Sequence, residues 1–246
     1  MILRILFQTS LNIKYLMIKL FRNIKNRLKQ KSFLKKQMHR IHLKGSLLNA
    51  FYNKKVIFVH IPKTAGISVA KAIFGDVSLE GHRSIMFYKN LFNEDFSEYF
   101  TFSVVRNPWD RLYSAFKFLE KGGINIHDRN AYEQYLEEYK DFEDFVTNGL
   151  NKEMIYEIMH FIPQSEFICS KDGKIDVNYI ARFENLKDDI SELSEKVNDI
   201  LKSNYKLDHH NKTDKKDYKD IYTIQMIEKV HRIYQKDIDI FEYKFS

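Results

Sequence analysis

The chain reads as an α/β protein, a P-loop-like, mostly parallel sheet flanked by helices and preceded by a basic amphipathic helix. Three observations predict this. Two short apolar, β-branched runs, at residues 55–60 (KVIFVH) and 99–105 (YFTFSVV), have the composition of buried strands. Each is followed by a proline-containing loop and then by apolar residues at helical spacing. Further along, short strand-like runs alternate with helical segments, the pattern of a parallel sheet covered by helices.

Taken in order, residues 11 to about 44 have a helical period. Ile13, Leu16, Met17, Leu20, Phe21, Ile24 and Leu28 fall on one face, and Lys14, Lys19, Arg22, Lys25, Arg27 and Lys29 cover most of the rest. Residues 1–50 are read as this helical extension and residues 51–246 as the folded domain. After the first strand, Pro62 breaks the ladder and residues 68–74 (SVAKAIF) run as a helix to Gly75, a C-cap. After the second, Asn107 is an N-cap and Pro108 the first helical residue of a segment that stops at Gly122-Gly123. Residues 166–169 and 179–183 are strand candidates around a turn at Lys171-Asp172-Gly173. Helices are expected at about 185–202 and 218–237.

Charge is unevenly distributed. The net charge is +7, yet residues 1–75 hold 16 Lys and Arg and no Asp or Glu, whereas the rest holds 24 basic against 33 acidic residues. One cysteine, Cys169, excludes a disulfide framework, and no Cys/His set has zinc-site spacing, so no metal is expected. A reducing, cytoplasmic setting fits. Every 18-residue window carries charge, which argues against a membrane-spanning helix, and the first 21 residues lack a small-residue cleavage site.

The chemistry sits at the two strand ends. The loop His60-Ile61-Pro62-Lys63-Thr64-Ala65-Gly66-Ile67-Ser68 leads from a strand into a helix N-terminus, where free N–H groups and the helix dipole favour an anion. Gly66 admits close approach, Lys63 brings a cation, and Thr64 and Ser68 bring hydroxyls. The loop lacks the first glycine of nucleoside triphosphatases, and its lysine precedes the glycine. At the end of the second strand stands Arg106 in place of a magnesium-binding acid, with Ser114 about two turns on. A guanidinium there grips an anion in a bidentate way. Two anion sites on adjacent strand ends suit a ligand with two separated phosphate-type groups.

The segments KVIFVHIPKTAGISV and FSVVRNPWDRLYSAF resemble the two cofactor motifs of sulfotransferases that use 3′-phosphoadenosine-5′-phosphosulfate (PAPS). The similarity is greatest to the carbohydrate group that includes heparan 2-O- and chondroitin-type enzymes and bacterial relatives. It spans about 54–246 and takes in Gly81-His82-Arg83-Ser84, the stretch from Pro163-Gln164-Ser165 through Arg182-Phe183-Glu184-Asn185, and the tail from His209-His210-Asn211-Lys212-Thr213 to Phe241. It implies that residues 63–68 (Lys63, Thr64, Ala65, Gly66, Ile67, Ser68) hold the phosphosulfate, and that Lys63 stabilises the leaving group. It further implies that Arg106 and Ser114 bind the 3′-phosphate and that His82 is the general base, with a carboxylate, as used by other sulfotransferases, as the alternative. Ile67 stands where the family more often has threonine.

The resemblance implies transfer of a sulfuryl group from PAPS to a carbohydrate hydroxyl. Alternatives are a nucleotide or small-molecule kinase and a non-catalytic polyanion binder; no nucleic-acid partner is expected. The Lys-, Ile-, Asn- and Tyr-heavy composition fits an AT-rich microbial genome and so a capsular or cell-surface glycan acceptor. The 12 Lys and Arg of residues 1–44 would attract an anionic membrane and place the enzyme peripherally at its inner face. Arg182 beside Glu184 reads as an ion pair, Trp109 as packing or an adenine stack, and residues 124–145 as an acceptor-side flap.

Overall fold

In the computed structural model, residues 32–79, 81–201 and 217–245 are described. The basic helix of residues 11–44 is seen only from residue 32 on; its earlier part, and the 209–213 segment, lie outside the described residues. Helix α1 occupies residues 32–41. It is followed by α2 (Leu47–Lys54), β1 (Val56–Val59), α3 (Gly66–Phe74), α4 (Ile85–Phe92), β2 (Phe100–Val105) and α5 (Pro108–Glu120). Next come α6 (Ile126–Tyr135), three single turns α7 (Phe142–Asp144), α8 (Met154–Glu157) and α9 (Ser165–Ile168), and then β3 (Tyr179–Arg182). The last helices are α10 (Leu186–Leu201), α11 (Ile224–Ile233) and α12 (Gln235–Ile240). Helix α2 runs through position 50 and buries Leu47, Leu48 and Phe51.

The three strands pair in the order β1-β2-β3, all parallel, with Val59 opposite Ser103 and Val105 opposite Arg182. Every residue of β1 is fully buried, which is why it reads as an unbroken apolar run without alternation. Burial of each such side chain is worth roughly 1.5–3 kcal/mol. Within the sheet, the Ser103 hydroxyl donates to the Val59 carbonyl at 2.7 Å. Because the strands are parallel, the loops that follow β1 and β2 open on the same side of the sheet, with β2 running two residues beyond the end of β1.

Local signals explain most boundaries. Asn107 caps α5 by accepting from the Trp109 N–H at 3.1 Å, with Pro108 at the first position. Gly75 ends α3 at φ +77°, a conformation cheap only for glycine. Two expectations are corrected. Residues 165–168 form the turn α9, and Cys169 makes an isolated antiparallel bridge to Ile175, so no strand runs over 166–169: the Asp237 carboxylate accepts from the Gln164 and Ser165 N–H groups at 2.6 and 2.9 Å and so caps a helical turn from 72 residues away. The single helix expected at 218–237 is divided, with Thr223 capping α11 and a break at Tyr234 before α12.

Candidate functional site

The loop after β1 is built mainly by backbone. Lys63 and Ala65 both adopt left-handed angles, φ +69° and +61°. Such conformations at non-glycine residues store strain and turn successive N–H groups toward one concavity. The Thr64 hydroxyl is turned inward, donating to the Ile61 carbonyl at 3.0 Å, so it braces the loop. The helical ladder of α3 opens with the Val69 N–H on the Ala65 carbonyl, leaving the N–H groups of Gly66, Ile67 and Ser68 in the unpaired first turn. Gly66 is required on packing grounds: a Cβ there would lie 1.9 Å from the His60 ring. Ile67 is 44% exposed and Ser68 half-buried. The Lys63 ammonium stands 3.7 Å over the Phe118 ring of α5.

The loop after β2 is built by side chains. Arg106 is buried, and its guanidinium contacts Asp110 at 2.6–2.7 Å, donates to the Lys63 carbonyl at 3.0 Å and lies 4.0 Å from the Phe183 ring centre. Its backbone is matched by one residue, Gln164. The Gln164 amide donates to the Arg106 carbonyl at 2.8 Å and accepts from the Arg106 N–H at 2.9 Å, as a neighbouring strand would. Glu184 accepts from the Asn107 N–H at 2.5 Å, and the Asn107 amide donates to the Lys244 carbonyl at 2.9 Å. Ser114 is buried on the α5 face that continues from Arg106.

A model of the sulfotransferase family matches residues 48–244, most of the chain. The chain belongs to the sulfotransferase family. No curated protein and no solved structure matches it.

In this sulfotransferase, three imidazoles gather beside Lys63. The His82 Nδ1 lies 2.9 Å from the His60 carbonyl. A carbonyl only accepts, so Nδ1 carries the hydrogen and Nε2 keeps the lone pair of the neutral ring. The His82 ring centre is 4.4 Å from that of His60 and 6.0 Å from that of His160. Burial holds the His82 imidazolium below the ordinary histidine range, opposed by the His60 carbonyl and the Asp128 carboxylate. His60, stacked on Phe58, is pushed down to about 3, by burial first and then by its neighbours His82, His160 and Lys63. Near neutral pH both rings are uncharged. His60 is a packing residue under Gly66, and His82 has the lone pair that proton removal requires.

Other expected residues take structural places. Trp109 is 2% exposed; its indole donates to the Ile227 carbonyl at 3.1 Å and its ring packs against Phe245, so it is packing and offers no face for a base. The expected Arg182–Glu184 pair is replaced by separate partners. Arg182 donates to the Phe241 carbonyl at 2.7 Å, and Glu184 accepts from the Tyr243 hydroxyl at 2.9 Å. Cys169 is buried. Of the proposed flap, α6 packs on α5 with Ile124 and Ile126 exposed. Among the described residues no group of three or more His, Cys, Asp or Glu is placed to hold a metal ion. No helix among them is long and apolar enough to cross a membrane.

Gln164, Asp237, Asp128 and His160 carry much of the site's framework and were not individually visible in the sequence. Only the Pro163-Gln164-Ser165 segment left a trace there, through the family resemblance. Nothing around His160 or Asp128 distinguishes them from surface histidines and acids.

Proposed function

We propose that this sulfotransferase moves a sulfuryl group from PAPS to a hydroxyl of a carbohydrate, a capsular or other cell-surface glycan. The observation that carries the reading is the junction of the two loops, where the Arg106 guanidinium donates to the carbonyl of Lys63 at 3.0 Å. It joins the loops that follow two adjacent parallel strands, one carrying Lys63 and the other Arg106, and this supports a donor with phosphate groups at its 3′ and 5′ positions. The donor set suits such a ligand: first-turn N–H groups of Gly66, Ile67 and Ser68 and the Lys63 ammonium for one end, Arg106 and Ser114 for the other.

PAPS, when bound, supplies the activated sulfuryl group. Lys63 then neutralises charge growing on the departing 5′-phosphate oxygen. His82, its Nδ1 hydrogen fixed on the His60 carbonyl, accepts the proton of the attacking hydroxyl at Nε2. The folded domain is assigned to about 51–246. The preceding basic stretch, with 12 Lys and Arg in residues 1–44, is assigned to an anionic membrane surface at the cytoplasmic face.

The test is transfer of labelled sulfate from PAPS to a panel of surface glycans, with wild-type protein and His82→Ala. The expected outcome is labelling by the wild type and a kcat reduced by about 10²–10⁴-fold in the variant, with affinity for 3′,5′-diphosphoadenosine retained. Near-normal turnover in the variant removes His82 from the role. Stabilisation of the wild type against heat by ATP with Mg²⁺, and not by 3′,5′-diphosphoadenosine, replaces the reading with a kinase.

A further inference from the structure

Beyond the loops and His82, a buried polar arrangement reaches the same spot from the opposite side. The segment His160-Phe161-Ile162 is fixed through its carbonyls. The fully buried Arg111 of α5 donates to His160 O at 3.2 Å and to Ile162 O at 2.8 Å, and the Tyr234 hydroxyl donates to Phe161 O at 2.7 Å. This clamp sets the His160 ring edge-on to His82, with centres 6.0 Å apart and planes at 73°, and 5.0 Å from Phe118, the ring beneath Lys63. Behind His160 lies Asp128 of α6, whose Oδ1 is 3.8 Å from His160 Nε2. Asp128 is itself anchored, its Oδ2 accepting from the Ile124 N–H at 3.0 Å and the Asn125 amide at 2.9 Å, with its side chain closed against Gly123. A Cβ at Gly123 would lie 2.1 Å from Asp128, so the loop is shaped around the carboxylate.

The row therefore runs His60 carbonyl, His82, His160, Asp128. It has the order of an oriented base backed by a carboxylate, with an imidazole interposed. The charged and titratable groups facing His82 are His60 from the end of β1, Arg83 beside it, Arg111 from α5, His160 and Asp128. Two of these, Arg83 and Arg111, are cations that disfavour a further positive charge, and Lys63 acts on the neighbouring His60 and His160. Asp128 is the carboxylate that opposes them from within the cluster.

We propose that Asp128, acting through His160, is the counter-charge for the imidazolium that His82 becomes during transfer. This rests on the assignment of His82 as base. The acceptor O–H bond breaks and its proton goes to His82 Nε2 as the acceptor oxygen bonds to sulfur. The bond from sulfur to the bridging oxygen breaks, and its electron pair leaves on the 5′-phosphate. His82 is then cationic, with its Nδ1 hydrogen still on the His60 carbonyl. The carboxylate across His160 stabilises that charge. Asp128 and His160 are positioning residues; neither exchanges a proton with the acceptor. Burial lowers the His160 imidazolium to about 4, against the pull of Asp128, so His160 stays neutral and polarisable between the two charges.

The experiment compares wild type, Asp128→Asn, His160→Gln and His82→Ala. It measures the pH dependence of kcat/KM for labelled sulfate transfer to the best glycan of the panel, and calorimetric affinity for 3′,5′-diphosphoadenosine. Asn preserves the shape of Asp128 and its acceptor oxygen. The expected result for Asp128→Asn is about a tenfold fall in kcat, a displacement of the acidic limb to lower pH and unchanged nucleotide affinity. The displacement follows because a less stabilised imidazolium loses its proton at lower pH. His160→Gln, which retains a polar side chain of similar reach, is expected to lose kcat to a similar extent with nucleotide affinity kept. A purely structural role predicts lower thermal stability in both variants with an unmoved acidic limb, and that outcome overturns the proposal. Failure of the underlying reading looks different: His82→Ala then keeps normal turnover and the same pH profile as wild type.

Discussion

The two strand-end loops meet at one hydrogen bond but are built in opposite ways. After β1 the chain makes its concavity from its own backbone, with left-handed Lys63 and Ala65, an inward Thr64 hydroxyl and Gly66 pressed on His60. After β2 the loop is held by groups far away in sequence: Gln164 on both backbone atoms of Arg106, Glu184 on the Asn107 N–H, and the Lys244 carbonyl on the Asn107 amide. The first loop's strain is held in place by the surrounding core, and the N–H groups of Gly66, Ile67 and Ser68 lie in the first turn of α3. The second spends most of its polar groups on the fold. Loss of the Lys63 side chain is therefore expected to damage chemistry, and loss of the distant groups that hold the second loop, Gln164 above all, to damage stability.

The sharpest way to break this contrast is Lys63→Ala. It removes the ammonium over Phe118 and leaves the backbone loop in place, so kcat for sulfate transfer is predicted to fall by about 10²–10³-fold with little change in the thermal midpoint. A large loss of stability would show that Lys63 is a structural cation. Gln164→Leu tests the other side. It orphans a buried N–H and a buried carbonyl of Arg106, each worth about 1–3 kcal/mol. Chemical denaturation is predicted to show a loss of about 2–6 kcal/mol. A stability equal to wild type would show that the Gln164 side chain does not carry the second loop.

Acid sharpens the comparison further, since the histidines cluster at the first loop. His60 and His160 are lowered to about 3 and about 4, and His82 is lowered as well, each chiefly by burial. A histidine in the unfolded chain takes up its proton near pH 6.5, so below that pH the unfolded state binds more protons and is favoured. Stability is therefore present in full above about pH 6.5 and is lost as pH falls toward 4. The predicted loss is about 1.4 kcal/mol per pH unit for each of His60 and His160, with His82 adding in the same direction, and thermal melts across this range measure it. A flat midpoint between pH 6.5 and 4 would contradict the buried, neutral state of the cluster.

The same contrast explains what was legible. Strands β1 and β2 were readable because parallel strands buried on both faces are continuous apolar runs, and the Asn107-Pro108 cap and the Gly75 stop are local signals. Lys63 to Ser68 could be read as an anion loop because the loop is made of consecutive residues. Residues 166–169 were misread because a β-like composition was overridden by a carboxylate from α12, and no local pattern announces that. The division near Tyr234 was missed because the amphipathic period runs on through both α11 and α12. His160 and Asp128 were invisible for a similar reason: they meet His82 only through the Arg111 and Tyr234 clamp, which tertiary packing alone assembles.

The central claim is that the two loops together read one ligand with phosphate groups at both ends. Its most direct test is calorimetric binding of 3′,5′-diphosphoadenosine and of 5′-AMP to wild type and to Arg106→Lys. Lysine keeps the positive charge but not the bidentate fork. The account predicts that wild type binds the bisphosphate at least tenfold more tightly than the monophosphate, and that Arg106→Lys largely removes this preference. Equal affinity of wild type for the two nucleotides would contradict it.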